Sequence, residues 1–107
     1  MSFILWLRLT SRGVEFNDVF ETAVRMYPND EIANLNAANS AMQRKDVENA
    51  KRYLQKGGDS PEALYARGVY AFLVEDYTVA RKQLNEAKNK GVQQAEIILL
   101  EIDKIDK

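Results

Sequence analysis

A chain of 107 residues is one domain's length, and 46% hydrophobic with 29% charged residues is the composition of a soluble globular fold. Its 15 basic and 16 acidic residues are interspersed and sum to a formal net charge of −1, so no electrostatic case exists for nucleic acid or an anionic membrane as partner. Neither cysteine nor histidine occurs, which excludes disulfides, Cys or His metal sites and histidine acid-base catalysis; no cofactor is expected.

The run Phe3 to Leu7 with Leu9 is apolar but too short to span a bilayer, and it lacks the basic start and small-residue cleavage site of a secretory signal. It reads as a helix packed beneath the elements that follow, or alternatively as the remnant of an element whose partner is a missing upstream region or a second copy of the chain paired through Phe3–Leu9, with Trp6 and Leu7 as a sticky patch. Val14 to Tyr27 reads as a helix with Phe16, Val19, Phe20, Ala23, Val24 and Tyr27 on its buried side, stopped by Pro28-Asn29-Asp30. Ile32 to Arg44 follows, rich in small residues: Ala33, Ala37 and Ala41 are one turn apart, which allows a neighbouring helix to come close. Asp46 to Lys56 is a further helix with Val47, Ala50, Tyr53 and Leu54 inward, and Gly57-Gly58-Asp59-Ser60 is a loop.

Pro61 to Gly91 carries the clearest signal. Ser60-Pro61-Glu62 is a helix start, joining a capping hydroxyl, a proline where its missing N–H costs nothing, and an acid at the positive end of the dipole. Leu64, Gly68 and Ala71 fall on one side of that helix and Tyr65, Val69, Phe72 and Leu73 on another. Glu75-Asp76 breaks the pattern and Asp76 caps a second helix, whose stripe of Tyr77, Ala80, Leu84 and Ala87 ends before Gly91. So short a connection makes the two helices antiparallel neighbours. Val92 to Ile105 is a last helix, with Val92, Ala95, Leu99, Ile102 and Ile105 inward and charged residues outward.

Shifted back by 30 residues the pattern recurs: Ala33 lies over Ala63, Ala41 over Ala71, Asp46 over Asp76, Ala50 over Ala80 and Leu54 over Leu84. Here the chain resembles the tetratricopeptide repeat, through Gly68, the Asp76-Tyr77 pair, Ala80, Leu84 and Ala87, more loosely through Ala38 and Gly57 in the preceding copy, and through Phe20, Ala23 and Tyr27 to Asp30 as the end of an earlier one. It departs from that family at Asn34 and Leu64, where a large aromatic is usual, and in a period of 30 residues against about 34. The resemblance implies an all-α, right-handed solenoid of antiparallel helix pairs in one domain: a degenerate first pair over residues 1–30, repeats over 31–60 and 61–91, and a capping helix over 92–107. A narrower resemblance, to C-terminal repeat segments of Gram-negative cell-envelope proteins, implies a periplasmic segment of a larger protein; otherwise the setting is cytoplasmic.

No catalytic constellation emerges, because each carboxylate sits beside a cation, at a helix start or on a charged outer face, and Gly57-Gly58 has no preceding strand to make a phosphate loop. The expectation is a non-catalytic module that binds a peptide or protein segment. By the resemblance its concave groove is lined by Leu35, Asn39, Met42 and Gln43 in one repeat and Tyr65, Val69 and Phe72 in the next, flanked by Ile32, Glu62 and Leu73. Asn39 and Gln43 would hold a backbone, and Tyr65 and Phe72 a side chain. The alternative is a structural or self-association segment of an envelope protein, with that wall filled as core.

Overall fold

The structure is a computed structural model and describes residues 17–105. The apolar run Phe3–Leu9, with Trp6, and the start of the expected first helix with Phe16 lie outside the described residues. Among these, six α-helices and no strand occur: α1 Asn17–Met26, α2 Glu31–Gln43, α3 Val47–Leu54, α4 Pro61–Leu73, α5 Tyr77–Asn89 and α6 Gln94–Ile105. They fall into two compact units that meet in sequence at Gly58 and Asp59, inside the expected Gly57–Ser60 loop.

In residues 17–58, α1 packs on α2 and α2 on α3. Asp30 caps α2, its carboxylate accepting from the Ala33 N–H at 2.9 Å. The helix ends in a left-handed turn. Lys45 has φ +61°, its N–H bonds back to the Met42 carbonyl at 3.0 Å and that of Asp46 to the Ala41 carbonyl at 2.8 Å, the paired bonds of a Schellman stop. Asp46 then caps α3 by accepting from the Asn49 N–H at 3.3 Å. One residue thus closes one helix and opens the next, and across this three-residue connection the N–H groups of Arg44, Lys45 and Asp46 are all bonded. Ala37, Ala38, Ala41, Ala50, Tyr53 and Leu54 are buried.

In residues 59–105 the same device recurs. Ser60 caps α4 through the Ala63 N–H at 3.1 Å, with Pro61 in the first turn. Glu75 has φ +64°, with bonds from its N–H to Phe72 at 3.1 Å and from the Asp76 N–H to Ala71 at 2.8 Å, and Asp76 caps α5 through Val79 at 3.3 Å. A third stop, with Gly91 at φ +105°, ends α5. Gly68 is where α4 and α5 meet: a Cβ there would lie 2.6 Å from Cγ and Cδ2 of Leu84, which is fully buried. Ala80 and Ala87 flank Leu84 on the buried stripe of α5.

Three expectations are corrected. Val19 and Tyr27 are about 60% exposed, because α1 presents only the stripe Phe20, Ala23 and Val24 inward and ends at Met26, turning Tyr27 away. The last helix begins at Gln94 and not Val92, since the Val92 N–H is committed to the Ala87 carbonyl in the stop of α5. Its buried face is Ala95, Ile98, Leu99 and Ile102, while Ile105 is half-exposed, so the inward stripe lies a fraction of a turn from the one expected. Two ion pairs tie α6 to α5, Arg81 to Asp103 at 2.6 Å and Lys88 to Glu96 at 3.4 Å.

Candidate functional site

The residues expected to line a groove divide by depth. On α2, Leu35 and Asn39 are half-buried and one turn apart, and the Asn39 amide makes no hydrogen bond within the described residues. Gln43 is half-buried, with its Oε1 shielded from water and without a hydrogen-bond partner. Met42 is 1% exposed. On α4, Tyr65 and Phe72 are half-buried and two turns apart, while Val69 between them is fully buried. Met42 and Val69 are therefore core, shaping their helices from beneath rather than meeting a ligand. Of the flanking positions, Ile32 is 72% exposed, Glu62 is exposed and Leu73 is half-buried.

Tyr65 and Phe72 are both held. Burial raises the Tyr65 phenol to about 12, so it is a neutral hydroxyl at every physiological pH. Phe72 meets the Tyr77 ring edge-on across the α4–α5 turn, with centroids 5.8 Å apart. Aromatic side chains fixed in this way lose little rotamer entropy on contact with a partner.

A second feature is an open cleft of about 490 Å³ formed within residues 17–58. Its apolar surface is Val24, Pro28 and Tyr53. Arg25 in the last turn of α1, Arg52 in the last turn of α3, and Lys56 just beyond it bring three cations to the cleft. The Arg52 guanidinium lies 5.1 Å from the centroid of the Tyr53 ring and within 3.5 Å of its hydroxyl. Arg25 donates to the Thr22 hydroxyl at 3.2 Å. None of the three cations forms an ion pair with a carboxylate among the described residues, although the Arg52 charge acts on Asp46, and the cleft's acid, Glu21, faces Arg44 at 3.8 Å.

Asn34, also lining the cleft, is a buried polar residue in the first turn of α2. Its Nδ2 donates to the carbonyls of Pro28 at 3.0 Å and Asp30 at 2.8 Å, so it ties the α1–α2 connection to the first turn of α2. Beside it, Asn49 donates to Asp46 at 2.7 Å. That bond, the Asn49 backbone N–H and the nearby Arg44 and Arg52 charges hold the Asp46 carboxyl below its ordinary range.

Sequence reasoning missed this cleft. Arg25 and Arg52 are 27 positions apart with no motif linking them, and read singly each is a cation at a helix C-terminus, where the dipole favours it anyway. No family model matches the sequence, and no curated protein and no solved structure matches the chain.

Proposed function

We propose that this chain is a non-catalytic protein-interaction module of the tetratricopeptide kind, which takes a peptide or protein segment on the outer face of α4. One observation carries the reading. At equivalent positions 30 residues apart, the two first helices each keep an apolar side chain half-exposed, Leu35 on α2 and Tyr65 on α4, with Asn39 and Phe72 on the same faces. Tyr65 and Phe72, two turns apart on α4, are anchors of the kind that recognise an extended or helical partner, and on α2 the Asn39 amide by itself offers the equivalent face a backbone contact. Met42 and Val69 act in this reading only as the packed base under the face.

The experiment is a pair of alanine variants, Tyr65→Ala and Phe72→Ala, tested by capture of crosslinked partners from the source cell and by thermal unfolding. Loss of a specific partner with the helical signal retained supports the reading. Unfolding of both variants would mean that these rings serve the core and that the face is not a binding surface. A specific partner retained by both folded variants would also sink it.

A further inference from the structure

We infer that the cleft of residues 17–58 is a recognition site for an acidic peptide segment, in which Arg25, Arg52 and Lys56 hold carboxylates while Val24 and Pro28 receive an aliphatic side chain between them. This stands independently of the helix-face reading, since none of these residues belongs to that face.

Four observations converge on an anionic occupant. The volume of about 490 Å³ lies inside the range of about 300–1,000 Å³ usual for ligand clefts. Three cations from two helix ends line one concavity, and none forms an ion pair with a carboxylate of the described residues, the Arg52 charge acting on Asp46 only at longer range. The only acid in the lining, Glu21, is engaged with Arg44, whose Nη2 lies 3.8 Å away. The Arg52 head is held on the Tyr53 ring, a contact that orients a guanidinium without cancelling its charge.

The same observations select a peptide. Clustered arginines recognise acidic motifs through charge-assisted, often bidentate hydrogen bonds. Nucleic acid needs a basic stripe that follows the backbone, whereas exposed Asp30, Glu31 and Glu48 stand elsewhere on this unit and the chain as a whole is slightly acidic. An apolar patch of Val24, Pro28 and Tyr53 beside the cations suits a segment that alternates acids with an aliphatic residue.

The test is fluorescence anisotropy with the full chain and a fluorescein-labelled peptide built of glutamate, aspartate and leucine, at salt between about 0.05 and 0.5 M. Saturable binding that weakens with salt is expected, with Kd rising about two- to fivefold for each of Arg25→Gln, Arg52→Gln and Lys56→Gln. Lys82→Gln, on α5, should leave Kd unchanged. Amide NMR shifts on titration should cluster at Arg25, Arg52, Tyr53 and Lys56. The inference is overturned by the absence of saturable binding, or by equal binding in the triple Gln variant with its helical signal intact. It is also overturned if an oligothymidylate of matching charge binds more tightly than the peptide.

Discussion

The hairpin of α2 and α3 and the hairpin of α4 and α5 share a turn yet differ in how their helices are held together. Both turns place a non-glycine residue in the left-handed region, Lys45 and Glu75, and follow it with an aspartate that ends one helix and caps the next. Away from the turn the two diverge. The α4–α5 pair closes through Gly68 over Leu84, and α5 runs for 13 residues. In the α2–α3 pair Ala38 stands at the equivalent place, α3 runs for only 8 residues before Gly57-Gly58, and a buried amide, Asn34, occupies the position of Leu64. A local turn is thus copied faithfully while its surroundings differ: Gly68 lets α5 come close to α4, whereas Asn34 fixes the start of α2 by hydrogen bonds to the α1–α2 connection. Backbone bonds at a turn depend on a few consecutive residues, whereas interhelical distance depends on side chains far apart in sequence.

The largest test of that contrast lies at positions 34 and 64. Asn34→Ala should cost about 2 kcal/mol in denaturant unfolding, from two lost hydrogen bonds of about 1 kcal/mol each, and Asn34→Leu should not restore it because the Pro28 carbonyl stays without its donor, while that of Asp30 keeps only the backbone N–H of residue 34. At the equivalent place Leu64→Met should cost under about 1.5 kcal/mol, since only volume and apolarity are required there. A tolerated Asn34→Leu would show that both hairpins are held by apolar packing alone.

Next comes Gly68→Ala. Overpacking against Leu84 costs about 1–3 kcal/mol and the gain in helix propensity returns about 1 kcal/mol, so a net loss of up to about 2 kcal/mol is expected. In a Leu84→Ala background the same change should become neutral or stabilising, and a double-mutant cycle reads this coupling. Additive effects would show that the two helices do not depend on glycine for their approach.

The caps come third. Asp76→Ala should cost about 1 kcal/mol. Asp46→Ala should be destabilising in the same sense, with a pH signature: because the folded-state carboxyl titrates below its unfolded value, its contribution is present above the ordinary carboxylate range and is lost as pH falls through the lowered folded pKa. The difference in stability between the native chain and Asp46→Asn, followed by circular dichroism from neutral pH downward, should therefore shrink in acid.

The smallest expected effect has the opposite sign. Lys45→Gly and Glu75→Gly relieve a left-handed conformation that costs an L-residue about 1–2 kcal/mol, against the added entropy of glycine in the unfolded chain, so each should stabilise by about 0.5–1 kcal/mol. A loss in one hairpin and a gain in the other would show that the two turns are not equivalent after all.

The order of the helices, the proline start at Pro61, the Asp76 cap and the buried stripes of α3 and α5 were legible because each depends on neighbours within one or two turns of helix. The 30-residue recurrence was legible for the same reason, applied twice. Which apolar residues stay outside was not: periodicity marks a face but not the width of the neighbour that covers it, and so Val19, Tyr27 and Ile105 were placed inside while Ile98 was left out. The candidate site was legible only in part. The resemblance put Tyr65, Phe72, Met42 and Val69 in one groove without telling their depths, and the first two are half-buried while the last two are core, because depth depends on what packs over each. The cationic cleft is a product of tertiary structure alone, since Arg25, Arg52 and Lys56 become one site only when α1, α2 and α3 fold together, and charge carries no periodicity from which such a meeting could be read.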